Sequence, residues 1–202
     1  MTPESLLFRK CQESCLGLAK IMQDVRLRYD GKLEPEEERV LNASQFWCLF
    51  IHDFQVVLER TYLEPTVEAQ KVFARVLSMM IVECFDDFAE LLGKSFDADM
   101  RAIGMDESRL TGFLHVRLSL RGLRSRNEGE LLVVRNVLTA HREHDARKQW
   151  DVMQGQELNR VRQLAYDLTT WSVQLLDALT PVIDYAAGRV VSRCGRYDQQ
   201  VK

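Results

Sequence analysis

Arg135 and His141 are the side chains of this sequence best equipped for chemistry, and Asn136 stands directly beside the first. They fall in Glu-Leu-Leu-Val-Val-Arg-Asn-Val-Leu-Thr-Ala-His-Arg-Glu-His-Asp, residues 130–145. A guanidinium is permanently charged and grips phosphate through paired N–H donors, whereas an imidazole titrates near neutrality and can give or take a proton. Together they suit phosphodiester cleavage. Arg135 would hold and neutralise the scissile phosphate while His141 serves as general base or acid on a ribose 2′-hydroxyl or the leaving oxygen. Asn136 would position either group, and the scheme calls for no metal or cofactor. Six positions on an ideal helix rotate a side chain by about 240°, so Arg135 and His141 do not share a face of one straight helix. They meet only if the helix ends near Ala140 or if a second copy supplies the partner. The competing reading is ordinary helix-end chemistry, since cationic groups favour the negative end of the helix dipole.

The segment Arg-Asn-x-x-x-Ala-His resembles the signature of the HEPN superfamily, all-helical domains of nucleotidyltransferase-associated, toxin and abortive-infection proteins. The resemblance implies a metal-independent endoribonuclease, toxin-like or related to phage defence, with Arg135, Asn136 and His141 as the catalytic set. It further implies RNA as substrate, a homodimer that brings two such sets into one cleft, and an antitoxin protein as partner. The HEPN-like core would include residues 106–187; the motif does not explain the long portion up to Gly104.

Charge is distributed unevenly around this motif. From His115 to Trp150 there are eight Arg and Lys against four Asp and Glu, a net of +4 inside a chain whose formal charge is −3. Arg121, Arg124, Arg126 and Arg142 are therefore candidate ligands for RNA phosphates. An ordinary solvated helix face also carries such a surplus.

The elements that must position these groups are helices. With 46% hydrophobic residues, 10 Gly and 4 Pro in 202 residues, the composition excludes an all-β or disordered chain and fits one all-α domain, residues 1–202, an antiparallel bundle of five to six long helices. Five cysteines, Cys11, Cys15, Cys48, Cys84 and Cys194, are odd in number and sit on apolar helix faces, the pattern of reduced, buried thiols. No signal sequence or membrane span is evident, so a soluble cytoplasmic protein is expected.

Thr2-Pro3 opens a first helix with a stripe of Leu7, Cys11, Ser14, Leu18, Ile21 and Val25, closed by Asp30-Gly31. Pro35 opens a second, whose acidic first turn Glu36-Glu37-Glu38 complements the dipole and whose apolar residues include Phe46, Leu49, Phe50, Phe54, Val57 and Leu58, ending near Leu63. A third helix turns Val72, Phe73, Val76, Leu77, Ile81, Cys84 and Phe88 inward. Asp106 or Ser108 caps a fourth through Leu110, Leu114, Leu118 and Leu120, followed by a basic turn, Arg121 to Asn127, with Gly122 and Asn127 as breakers. A motif helix from Asn127 or Glu128 buries Leu131, Leu132, Val134 and Leu138. The last helix carries Val161, Ala165, Leu168, Ser172, Leu175, Leu179, Val182 and Ala186 in alternating steps of four and three, a packing seam for a helix of this chain or of a second copy. Thr180-Pro181 should kink it, and beyond Gly188 the arginines Arg189, Arg193 and Arg196 belong to a frayed tail.

Three lesser constellations remain. His52 and Asp53 are neighbours, but adjacent helical side chains diverge by about 100°, which argues for a core-edge histidine and against a bonded dyad. Glu83, Asp86, Asp87 and Glu90 form a ladder that could hold Mg²⁺ and a pyrophosphate, yet no second acidic cluster faces it, so a solvated face is expected. His141, His144 and Asp145 have partial zinc or iron spacing without a completing ligand. Gly-x-Ser-x-Gly, His-Glu-x-x-His and a Gly-rich phosphate loop are absent. The alternative to a nuclease is a non-catalytic helical scaffold that meets a partner through the seam and the ladder.

Overall fold

The computed structural model describes residues 3–127 and 157–200 together with Gly129 and Arg147, without the side chains of residues 3–8, 89 and 195–200. These residues form six helices and no strand: α1 (Pro3–Arg28), α2 (Pro35–Leu63), α3 (Val67–Leu91), α4 (Lys94–Ala102), α5 (Glu107–Arg126) and α6 (Leu158–Gln200). None of them is long and apolar enough to cross a membrane. Arg135, Asn136, His141, Arg142, His144 and Asp145, the motif helix and the Thr2 cap lie outside the described residues.

The long helices form an antiparallel bundle. Contacts between Arg26 and Glu38 and between Gln12 and Glu59 run α1 against α2. Gln55 meets Thr169 while Glu37 meets Arg189, so α2 runs against α6. Trp171 meets Val116 while Arg109 lies over the Tyr185 ring, so α5 also opposes α6.

Helix ends follow local chemistry. Pro35 starts α2 where its missing N–H would have had no partner, and Thr66 caps α3 by accepting from the Ala69 N–H at 3.2 Å. Asp106 caps α5 in the same way from Arg109 at 3.1 Å. Between α4 and α5, Gly104 takes a φ of 87°, and a Cβ there would meet the Tyr185 hydroxyl at 3.1 Å. Glycine alone satisfies both the left-handed backbone and the close approach.

One contiguous apolar core draws on all six helices. At its centre Trp47 of α2, Phe88 of α3 and Trp171 of α6 meet edge to face, Phe88 and Trp171 at 4.9 Å and Trp47 and Phe88 at 5.2 Å between ring centroids. Trp171 Nε1 donates to the Val116 carbonyl at 3.0 Å, which ties α5 to the same cluster and satisfies a buried donor. All eight residues of the α6 seam are buried, against helices of the same chain. The helix continues through Pro181.

Several stripes are rotated from their expected phase. On α1 the buried residues are Cys11, Cys15, Ala19 and Met22, whereas Ser14 and Ile21 face outward. On α2 Phe46 and Leu49 are exposed, displaced by Trp47, Cys48 and Ile51; on α3 Val72 and Val76 are exposed, and on α5 Leu114 and Leu118 give way to Phe113 and Val116. In each case the helix is apolar on more than one side, so spacing alone allows two phases and the larger or better-fitting set fills the core.

Arg121 to Arg126 is not a turn but the last part of α5. Leu123 is buried there, and the helix ends at Asn127, whose N–H reaches the Arg124 carbonyl at 3.1 Å and whose Nδ2 donates to Leu123 O at 2.8 Å. Gly122 is tolerated because burial of Leu120 and Leu123 on either side holds the turn. The tail beyond Gly188 is likewise not frayed: Val190 and Cys194 are buried and α6 runs on to Gln200.

Candidate functional site

Since α5 and α6 are antiparallel, α5 ends at Arg126 and α6 begins at Leu158 at the same end of the bundle. Residues 128–156, with the candidate catalytic set Arg135, Asn136 and His141, join these two ends. The described part of the candidate phosphate-binding set is therefore the final turns of α5.

The three arginines there differ. Arg121 and Arg126 are exposed. Arg124 is engaged within the chain: Nη1 donates to the Phe85 carbonyl at 3.0 Å and Nη2 to Asp86 Oδ1 at 2.9 Å. A phosphate at Arg124 would share the guanidinium, half exposed, with Asp86. Arg117, another member of the basic segment, forms a two-pronged pair with Asp97, with Nη1 to Oδ2 at 2.8 Å. Two of the eight positive charges between His115 and Trp150 are thus balanced by carboxylates from α3 and α4, which lessens the surplus facing solvent.

Near the start of α6, Arg162 lies over the Tyr62 ring at 4.4 Å, donates to the Thr61 carbonyl and reaches Gln70 Oε1 at 3.1 Å. Burial holds its pKa below the ordinary guanidinium value. This arginine fastens α6 to the last turn of α2 and the first turn of α3.

His52 and Asp53 are bonded after all, Nδ1 to Oδ1 at 2.9 Å. Divergence of adjacent Cα–Cβ bonds does not prevent contact when both side chains lean toward each other on a half-exposed face. The carboxylate ladder is exposed at Glu83, Asp86, Asp87 and Glu90, and Asp86 is the partner of Arg124. Among the described residues no group of three His, Cys, Asp or Glu side chains is arranged to hold a metal ion.

The thiols are all reduced and buried. The hydrogen bond between Cys11 and Cys15 lowers the pKa of the first and, helped by burial, raises that of the second. Burial pushes Cys48 up to about 12 and raises Cys84 as well.

Sequence reasoning missed an ion cluster at the opposite end of the bundle. Glu37 of α2 is fully buried, with Oε1 accepting from Arg189 Nε at 3.0 Å and Oε2 from Arg193 Nη2 at 2.5 Å and from the Glu34 N–H at 2.9 Å. Arg189 also donates to Glu34 Oε2 at 2.8 Å and to the Ile103 carbonyl at 2.7 Å. Glu34 holds the Arg189 pKa above its ordinary value. The only trace in the sequence is the spacing of Arg189 and Arg193, one helical turn apart, which does not name its partners.

No protein-family model matches the chain, and no curated protein or solved structure matches it.

Proposed function

We propose that the protein is a metal-independent endoribonuclease of a toxin-like or defence-related kind. The observation that carries this reading is the Arg135-Asn136-x-x-x-Ala-His141 spacing inside a segment of net charge +4. Arg135 binds the scissile phosphate and stabilises the charge that develops on it. His141 takes the proton from the ribose 2′-hydroxyl, whose oxygen attacks phosphorus as the bond to the 5′-oxygen breaks, and the departing 5′-oxygen takes up a proton from the imidazolium or from water. Asn136 orients one of the two groups, and Arg121 and Arg126, exposed on α5, attract neighbouring phosphates. A homodimer, with each copy completing the other's set, resolves the angular separation between positions 135 and 141, and an antitoxin would restrain the activity in the cell. A cytoplasmic location follows from such a substrate.

The second reading, a non-catalytic interaction protein, is favoured by the apolar residues exposed along α2 and α3. Incubating the purified chain with end-labelled RNA in EDTA separates the two. The nuclease yields fragments ending in 2′,3′-cyclic phosphate and 5′-hydroxyl; intact RNA under all conditions leaves the interaction reading.

A further inference from the structure

Helix α2 carries a second heptad seam on the face turned away from the core. Phe46, Leu49, Asp53, Val56, Arg60 and Leu63 follow one another in steps of three and four. Phe46 and Leu49 are 41% and 43% exposed, Val56 36% and Leu63 63%. Asp53 and Arg60 carry opposite charges within this strip, with side chains 68% and 57% exposed. Apolar residues recurring every three and four positions on one helix face form the pattern by which one helix recognises another. Yet α2 already packs on α1, α3, α4 and α6 through its other sides.

We propose that this face binds the same face of a second copy, α2 against α2 in antiparallel orientation about a two-fold axis. The charges select both the partner and the direction. Parallel pairing would set Asp53 beside Asp53 and Arg60 beside Arg60, whereas the antiparallel arrangement brings Asp53 of each copy toward Arg60 of the other. It also carries Leu63 toward Phe46 and Leu49, and leaves Val56 near the axis facing its own copy. The salt link from Arg60 to Glu64, at 3.5 Å, is long and leaves the guanidinium open to a further carboxylate.

Helix α3 beside it obeys the same symmetry. Val72 and Val76, 42% and 39% exposed, widen the apolar strip in its first half, and the exposed acids Glu83, Asp87 and Glu90 occupy its second half. The same axis lays the first half of α3 over that of its copy, so Val72 and Val76 continue the apolar strip across the dimer while the acidic residues lie away from the axis. The interface uses no contact of Arg135 or His141 and is read from mass alone, whereas the nuclease reading adds that a chain made monomeric by Leu49→Glu loses RNA cleavage. A dimer that depends on Leu49 without cleavage leaves the interface standing and removes only the nuclease.

Sedimentation equilibrium of the full chain over a concentration series tests it, with thermal melting to check that each variant is folded. The parent is expected to show a reversible monomer–dimer equilibrium. Leu49→Glu should abolish the dimer, and Asp53→Arg should raise the dissociation constant roughly tenfold by placing like charges together at two symmetric positions. The double variant Asp53→Arg/Arg60→Asp should recover parental affinity. A single-chain mass at every concentration, or a dimer indifferent to Leu49→Glu, overturns the proposal. Failure of the double variant to recover overturns the antiparallel pairing.

Discussion

Glu37 accepts hydrogen bonds from Arg189 at 3.0 Å although 152 residues separate the two, and the carboxylate is fully buried. This contact, with Arg193 at 2.5 Å, pins the C-terminal part of α6 to the first turn of α2. Removing this buried charge is costly, since Arg189 and Arg193 lose their shared carboxylate and keep only Glu34 and backbone carbonyls. Glu37→Gln keeps the shape and removes the charge; it should lower unfolding free energy by about 3 kcal/mol. Urea unfolding checks this, and a change below about 1 kcal/mol would mark the cluster as no more than a surface ion pair.

The phase of α6 makes a paired prediction. Leu175 is fully buried and Val173, two positions earlier, is 38% exposed. Leu175→Ala should destabilise by about 2–5 kcal/mol through lost contact and a residual cavity. Val173→Ala should stay within about 0.5 kcal/mol of the parent. Equal effects in chemical denaturation would show the seam to be rotated.

Cys48 sets an alkaline limit. Its pKa rises from an ordinary 9.0 to about 12 on burial. Below pH 9 the thiol is protonated in both folded and unfolded chains and contributes fully. As pH rises from 9 toward 12 the unfolded thiol ionises first, so the unfolded state binds fewer protons and stability falls, by up to about 1.4 kcal/mol per pH unit. Cys15 and Cys84 shift in the same direction and add to the fall. Cys48→Ala should flatten the decline across this window in melting experiments; a decline of unchanged steepness would remove Cys48 from the account.

Much of this architecture could be read from the sequence, for identifiable reasons. Helix α6 repeats apolar or small residues from Val161 to Ala186 in unbroken steps of four and three, and this regular seam outweighs the isolated Tyr166 and Val173 outside it. Pro35 and Asp106 mark helix starts through chemistry that needs no tertiary contact. The errors lie where that condition fails. Helices α2 and α5 are apolar on more than one side, so Phe46, Leu49, Leu114 and Leu118 were plausible core residues until Trp47, Phe113 and Val116 took the space. Gly122 resembles a breaker because the burial of Leu123 beside it depends on the shared core and not on local sequence. Arg189 and Arg193 resembled a solvated tail because their partners, Glu34 and Glu37, sit at the other end of the chain. Arg124 was legible as a cation but not as the partner of Asp86. The catalytic set rests on residue type and spacing, and its geometry is the part that three-dimensional contacts must supply.

RNA cleavage by the Arg135→Ala and His141→Ala variants, assayed in EDTA beside the parent and matched for melting temperature, tests the central claim most directly. Loss of a group that acts only in the transition state should reduce the rate by at least about 100-fold in each variant while the fold is retained. Cleavage by either variant at the parental rate would contradict the assignment of these two side chains to the reaction.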